Sequence, residues 1–369
     1  MNSEFSSLTK SKLYFPQLDS IRGMSFIAIF LFHTVRIHGQ FIRAGFISYL
    51  FNNLPLAIDV FFILSSFLLT YLGLNEYKKR NDFSFRNYFT RRILRIWPLY
   101  FFILFLAFLL FPMLAKWFHF EMSLPNAWYY IFFIANFYTA PHVFFLKFLW
   151  TISVEEQFYL LWGLCLRFFH KKLGSLIAIL VLASVSFSVY SIYTHSGSYY
   201  NTLTYLFDFA FGGLSAVFIF RKNAFINWLK NLSRRGSIIF YSYLLFHFIV
   251  FYFLDKNTTG ISNELIALFN RYLFIIYMSV FISEQMVNHS RTRFFEKNRF
   301  LIYTGKLSFG LYCYHGITIT FINLLLLRFQ INNWIMVIIY FSVNYLIASI
   351  SYFYLETPFL KLKSKWRRE

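Results

Sequence analysis

Arg22 and His33 are the residues of the first apolar segment whose types suit chemistry. They lie eleven residues apart. On a helix of 3.6 residues per turn this interval returns to within roughly 20° of the same face, about 16 Å along the axis. An imidazole can act as a general base there, and a guanidinium can stabilise an oxyanion. The alternatives are an arginine at the membrane surface paired with Asp19, and a histidine that only fills the core.

A second group of candidate residues begins a later apolar segment. Glu155 and Tyr159 are four residues apart, as are Ser153 and Gln157, so a helix would place each pair side by side. Such a polar stripe should face the interior of a helix bundle or a wet cavity, because lipid cannot solvate it. The alternative is that the carboxylates are solvated at the outer membrane surface, which suits Glu156 better than Glu155.

A third group is basic and precedes an apolar segment that starts at Ile96: Arg91, Arg92 and Arg95. Guanidinium groups bind phosphate oxygens well, although the cluster could equally serve only to orient the chain in the membrane. Three more polar residues, Ser308, Tyr312 and His315, lie inside a later apolar segment, and Glu356 lies at the end of the last one. The sequence has no P-loop, dinucleotide fingerprint or metal-binding motif, so we expect neither a metal nor a tightly bound cofactor.

The composition identifies the elements that must position these residues. The chain has 369 residues, of which 58% are hydrophobic and only 14% charged, against about 25% charged in soluble domains. Its net charge is +20, but the basic residues cluster between apolar segments. This placement is typical of the positive-inside rule and of contact with anionic lipid headgroups. We therefore expect membrane lipid, and not nucleic acid, as the partner of the basic residues.

The apolar segments predict an all-α integral membrane protein with about ten transmembrane helices in one bundle and both termini in the cytoplasm. The expected spans are 18–37, 54–74, 96–115, 148–169, 173–193, 200–220, 238–254, 265–286, 300–327 and 335–355. Residues 128–138 are apolar but short, and we expect them to be interfacial or re-entrant. We expect one membrane domain over 1–369, with a polar tail at about 1–15, a basic tail at about 360–369 and no extra soluble domain.

Taken together, these segments resemble the membrane acyltransferase 3 family. The similar segments are 18–23 with His33 (Arg-x10-His), 59–65 (the second-helix motif), 91–98 (the basic entry to the third helix), 150–159 (Ser-Val-Glu-x-Gln-Phe-Tyr), 308–312 with His315 (Ser-Tyr-x-x-Tyr-x-x-His) and 356–359 (Glu-Arg-Pro-Phe). They follow the family order along almost the whole chain. Three positions depart from the family pattern: Ser66 replaces glycine, Phe309 replaces tyrosine and Thr357 replaces arginine.

The resemblance implies an enzyme of the bacterial cytoplasmic (inner) membrane that transfers an acyl group, usually acetyl. The donor would be cytosolic acetyl-CoA or another acyl-CoA, used as a co-substrate. The acceptor would be a hydroxyl of a cell-envelope polysaccharide, such as lipopolysaccharide, or of a lipid-linked sugar. The chain would either complete the transfer itself or pass the acyl group to a separate extracytoplasmic protein.

We assign roles on this basis. His33 would act as general base or take part in an acyl relay, Glu155 would orient or charge-balance it, and Arg22 would grip the donor or stabilise oxyanion charge. The CoA phosphates would bind Arg91, Arg92 and Arg95. The expected supporting polar network consists of Asp19, Asp59, Ser65, Ser153, Gln157, Tyr159, Ser308, Tyr312, His315 and Glu356.

A second hypothesis is a transporter or flippase of a lipid-linked sugar that does no covalent chemistry. Intramembrane Arg, His and Glu would then form a substrate or proton path. No internal repeat and no pair of helices broken by Gly or Pro is evident in the sequence, which disfavours this class.

Overall fold

The computed structural model describes residues 14–37, 45–117, 123–138, 144–288, 293–326, 329 and 331–362, and these contain helices but no strand. The α-helices are α1 (Pro16–Ile37), α2 (Gly45–Asn52), α3 (Ala57–Arg80), α4 (Phe85–Phe105), α5 (Phe111–Trp117), α6 (Trp128–Ile131), α7 (Phe144–Lys147), α8 (Trp150–Phe169), α9 (Leu173–Thr194), α10 (Leu206–Arg221), α11 (Ala224–Lys230), α12 (Arg234–Lys256), α13 (Gly260–Val287), α14 (Arg293–Lys297), α15 (Arg299–Leu326), α16 (Asn333–Ser351) and α17 (Thr357–Leu362). The predicted tails fall almost wholly outside the described residues.

The described ranges contain nine segments long and apolar enough to cross a membrane. One of them, Phe144–Thr194, has 51 residues and contains both α8 and α9, separated by a 3-10 turn at His170–Lys172. The ring of Trp150, at the start of α8, lies 5.3 Å from that of Tyr199, just beyond the end of α9. The two helices therefore run in opposite directions, and the prediction of an all-α bundle with about ten transmembrane helices is confirmed.

The segment 128–138 does not form a membrane-length helix, as predicted. It contains only α6 and a 3-10 turn at Ala135–Phe137. The side chain of Gln157 in α8 donates a hydrogen bond to the carbonyl oxygen of Phe133 at 2.8 Å. This bond fixes the short segment against the side of the bundle.

The apolar segment predicted to start at Ile96 is only part of a longer helix, because Arg91, Arg92 and Arg95 already belong to α4. Ser84 caps this helix by accepting a hydrogen bond from the amide of Asn87, and Pro98 lies in the helix interior and not in its first turn. Hydropathy marks where an apolar stretch begins, whereas the cap decides where the helix begins. The arginines of α4 are consequently held on a rigid helix.

The backbones of α1 and α15 are in direct contact. A Cβ atom on Gly305 would lie 1.8 Å from the carbonyl oxygen of Asp19, and one on Gly23 would lie 2.4 Å from that of Leu301. Only glycine permits this approach, which is typical of closely packed membrane helices. The crossing places the polar residues of α1 opposite those of α15.

Ser66 takes part in a second close contact, between α3 and α10. Its side chain is fully buried and donates a hydrogen bond to the carbonyl oxygen of Phe209 at 2.5 Å. The serine that replaces the family glycine is thus small enough to keep the two helices together.

The basic termini of several helices lie at one end of the bundle, which we term the basic end. Tyr77, near the end of α3, stacks on His170 between α8 and α9 with 3.9 Å between the ring centroids. Lys78 lies over the ring of Phe220, near the end of α10, at 6.0 Å. These contacts place the ends of α3, α8 and α10 at the same side of the bundle.

Candidate active site

A cavity with about 690 Å³ of empty space, including the part that is open to solvent, lies among α1, α3, α4, α8 and α15. Its polar lining residues are Arg22, Ser65, Arg92, Arg95, Thr151, Glu155, Tyr159, Ser308 and Tyr312. Eight of these were predicted from the sequence as site residues, and only Thr151 was not. We refer to this space as the central cavity.

Glu155 is the carboxylate that faces the central cavity. Its two oxygens accept hydrogen bonds from Ser65 and from Tyr159, each at 3.0 Å. The second bond is the contact predicted from the spacing of four residues. Arg22 and Arg95 both lie within electrostatic range of this carboxylate. In the structure Glu155 therefore balances the positive charge of Arg22 and Arg95. These arginines, Ser65 and Tyr159 are its partners, and not His33 as expected.

The arginines give the cavity an excess of positive charge. Arg22 is buried and forms the expected ion pair with Asp19, at 3.4 Å. The guanidinium of Arg92 lies 5.5 Å from the centre of the Tyr159 ring. Three guanidinium groups thus face one carboxylate across the cavity, an arrangement suited to binding an anion.

Arg91 is separated from the other two arginines of its cluster. It forms an ion pair with Glu76 of α3 at 3.3 Å and is not part of the cavity lining. Arg92 and Arg95 line the central cavity, whereas Arg91 points towards Glu76 of α3. The expected group of three is therefore a pair in the cavity and one arginine outside it.

His33 is paired with His315, a contact that sequence reasoning did not anticipate. The distance between Nδ1 of His33 and Nε2 of His315 is 3.1 Å. The ring of Phe148 lies 4.2 Å from that of His33 and 4.3 Å from that of His315. His315 also contacts Tyr312, which lines the central cavity. The histidine pair therefore lies next to the cavity, on the side away from the basic end.

The hydrogen bonds of the pair determine where the protons lie. Nδ1 of His315 contacts the carbonyl oxygen of Tyr312, which can only accept, so this nitrogen carries the proton of the neutral ring. Nε2 of His315 then accepts from Nδ1–H of His33. Nε2 of His33 keeps its lone pair and can accept a proton.

Glu156 is buried, with 6% of its surface exposed, and accepts a hydrogen bond from the indole of Trp97 at 3.2 Å. The alternative that Glu156 is solvated at the outer membrane surface is therefore wrong. Its partner comes from α4, which the sequence spacing within α8 could not reveal. Gln157 likewise has a supporting contact, because it also donates to the side-chain oxygen of Asn136 at 2.8 Å.

Asp59 belongs to a buried charge cluster of three residues. Arg271 of α13 lies 2.9 Å from Asp59 and 2.6 Å from Asp208 of α10. Its guanidinium also lies 4.8 Å from the centre of the Tyr205 ring. Sequence reasoning missed Arg271 and Asp208. The signal was present, because each is a charged residue inside a predicted span and must have a partner.

Ser153 and Glu356 are buried outside the cavity lining. Glu356 ends a π-helical turn, Tyr352–Glu356, and packs so closely on α15 that a Cβ on Gly310 would lie 3.0 Å from its carboxylate. Thr357 donates a hydrogen bond to the carbonyl oxygen of Tyr352 at 2.7 Å. Across the residues with assigned structure, no cluster of three or more His, Cys, Asp or Glu could hold a metal ion.

A helical membrane bundle around a cationic cavity, with a histidine pair beside it, is the architecture expected of a membrane acyltransferase. The chain belongs to the acyltransferase 3 family, whose model, described as an acyltransferase domain, matches residues 15–353. The resemblance inferred from the motifs is thereby confirmed.

Two relatives from Staphylococcus aureus, of strains NCTC 8325 and COL, are both named O-acetyltransferase OatA. Each is 28% identical over 381 residues, which cover 97% of this chain and 59% of the relative. The chain thus spans less than two thirds of the length of these relatives. No solved structure matches the chain.

Proposed function

We propose that the chain is a membrane O-acyltransferase that moves an acyl group, most simply acetyl, from acyl-CoA to a hydroxyl of a cell-envelope glycan or lipid-linked sugar. The observation that carries the proposal is the order of the site residues from the basic end of the bundle to the opposite side. Arginines line the central cavity towards the basic end, and the His33–His315 pair lies beyond Tyr312 on the opposite side.

The basic end is the donor side in this proposal. By the positive-inside rule it faces the cytoplasm of a bacterial inner membrane, where acyl-CoA is available. Arg92 and Arg95 supply guanidinium groups for CoA phosphates, and Arg22 lies next to them on α1. Because Arg22 and His33 share the continuous helix α1, they are about 16 Å apart along its axis. An extended pantetheine arm suits a gap of this kind.

The histidine pair supplies the proton acceptor. Nε2 of His33 takes the proton of the acceptor hydroxyl, whose oxygen attacks the thioester carbonyl carbon. The carbon–sulfur bond then breaks, and the CoA thiolate takes up the proton to leave as the thiol. His315 holds the ring of His33 in the required tautomer, in the way that a hydrogen-bonded partner orients a catalytic imidazole.

The proposal is tested with acetyl-CoA carrying a labelled acetyl group, supplied to the basic side of proteoliposomes that contain the full chain and a pool of envelope glycans. Covalent label on glycan supports an acyltransferase. Movement of unlabelled glycan across the membrane with no labelled product would instead support the transporter hypothesis and overturn the proposal.

A further inference from the structure

Two hydroxyl groups lie at the end of the central cavity nearest the histidine pair. Tyr312 of α15 and Thr151 of α8 both line the cavity, and both side chains are buried. Their hydroxyl oxygens are 3.0 Å apart. The ring of Tyr312 lies 5.2 Å from that of His315. Neither hydroxyl takes part in the proton transfer proposed for His33.

The two hydroxyls share one acceptor, the carbonyl oxygen of Phe148. The hydroxyl of Tyr312 lies 3.1 Å from this oxygen, and so does the hydroxyl of Thr151. The backbone amide of Thr151 donates to the same oxygen at 3.4 Å. Because a carbonyl oxygen has two lone pairs, the amide and the hydroxyl of Thr151 are sufficient to saturate it. The proton of Tyr312 is then available to a ligand in the cavity.

Phe148 also places these hydroxyls beside the histidine pair. Its ring packs on both imidazoles, at 4.2 Å from that of His33 and 4.3 Å from that of His315. Gly316 permits this packing, because a Cβ atom there would lie 2.9 Å from the Phe148 ring. A thioester whose carbonyl oxygen accepts from Tyr312 would therefore have its reacting carbon at the histidine side of the cavity.

The surroundings at this side of the cavity are apolar. The face of α3 that lines it begins with Ile58, Phe61 and Phe62. Since α3 ends at the basic end, these residues lie on the opposite side, towards the histidine pair. A hydrogen bond is stronger electrostatically in such surroundings than in water.

Arg22 is too far from this point to serve the reacting carbon. It lies about 16 Å from His33 along the axis of α1, among the arginines that line the cavity towards the basic end. Attack on a thioester places negative charge on the carbonyl oxygen, and a donor must be positioned where that charge forms. Arg22 therefore suits the grip on the donor, and the oxyanion needs another group.

We infer that the hydroxyl of Tyr312 is the oxyanion donor of the transfer reaction, and that Thr151 is a positioning residue that keeps its proton free. As the acceptor oxygen bonds to the carbonyl carbon, the π electrons of the carbonyl move to its oxygen, which accepts a hydrogen bond from Tyr312. The carbonyl re-forms when the carbon–sulfur bond breaks, and Tyr312 keeps its proton throughout. The inference rests on the proposed acyltransferase activity for turnover, but not for donation to a bound thioester.

The first test observes the bound donor with no acceptor present. Acetyl-CoA with a heavy carbon isotope at the acetyl carbonyl is bound to the full chain in nanodiscs, and isotope-edited infrared spectra record its C=O stretch. Donation from Tyr312 weakens the C=O bond, so Tyr312→Phe should shift this band to higher frequency. Tyr314→Phe should leave it in place. Tyr314 is the matched control, because it belongs to the same helix and its buried hydroxyl bonds Ser351 at 3.0 Å, outside the cavity lining.

Initial rates of acetyl transfer extend the test to turnover. Tyr312→Phe should lower kcat about 100-fold to 1,000-fold, the loss typical of one oxyanion donor, and change the KM for acetyl-CoA less than about twofold. Thr151→Val should lower kcat about tenfold, because Tyr312 must then donate to Phe148. Thr151→Ser keeps the hydroxyl and should restore the parental rate, and Tyr314→Phe should behave as the parent chain.

An unshifted carbonyl band in Tyr312→Phe would overturn the inference, and so would a loss of turnover that appears only as a raised KM, since a purely structural role produces that result. Should Tyr312→Phe not fold, Thr151→Val against Thr151→Ser makes the same comparison. A shifted band in a chain that transfers acetyl to no glycan would uphold the donor and refute the proposed function. Transfer to glycan at the parental rate by Tyr312→Phe would do the reverse.

Discussion

Gly305→Ala tests whether the contact between α1 and α15 holds the site together. The new Cβ would lie 1.8 Å from the carbonyl oxygen of Asp19. Since both atoms are attached to helix backbones, no side chain can move aside. The helices must separate by about 1.6 Å to reach an ordinary contact of 3.4 Å.

The expected consequence appears at the histidine pair, further along the same two helices. If half of that separation reaches it, the distance from His33 to His315 grows from 3.1 Å to about 3.9 Å, which is beyond hydrogen-bond range. Misplacement of a catalytic group by about 1 Å can reduce turnover about 100-fold. We therefore expect Gly305→Ala to lower acetyl transfer by about two orders of magnitude.

The assay is transfer of labelled acetyl from acetyl-CoA in proteoliposomes, with size-exclusion chromatography to verify that each variant is folded. Gly174→Ala is the matched control, because a Cβ on Gly174 meets nothing within 4 Å. Glycine to alanine in a helix is otherwise stabilising by about 1 kcal/mol. Full activity of the Gly305→Ala protein would refute the argument that this crossing positions the histidines.

Two further predictions concern the charged residues. Arg92→Ala should raise the apparent KM for acetyl-CoA about tenfold, because Arg92 lines the central cavity. Arg91→Ala should change this KM less than about twofold, because Arg91 lies outside the cavity lining and pairs with Glu76. Initial rates at varied acetyl-CoA concentration measure both values, and an unchanged KM for Arg92→Ala would reject the phosphate role. Arg271→Met should lower the free energy of unfolding by about 3–5 kcal/mol, because it leaves Asp59 and Asp208 buried without their shared cation. Thermal unfolding in detergent tests this prediction. An unaltered midpoint would contradict a stabilising role for the cluster.

Much of the fold follows from hydropathy and charge, because each transmembrane span must satisfy its backbone within its own segment. That local rule is why the spans, the short segment 128–138 and the shared face of Arg22 and His33 could be predicted. The hydrogen bond between Glu155 and Tyr159 was predictable for the same reason, since both belong to one helix.

Contacts between distant helices could not be predicted in the same way. His315 is 282 residues from His33, and Arg271 is 212 from Asp59. Periodicity indicates which face of a helix is polar, but not which other helix packs on that face. Glu155, assigned to His33 on the basis of the family resemblance, lies elsewhere, and the crossing of α1 and α15 provides His315 instead.

The most direct measurement of the central claim is the rate of acetyl transfer to envelope glycan by a His33→Ala chain that inserts and folds normally. Loss of a general base reduces turnover by about 100-fold to 10,000-fold. The account predicts a loss in that range with the KM for acetyl-CoA little changed, because the arginines that bind the donor remain in place. A His33→Ala chain that transfers acetyl at the parental rate would contradict it.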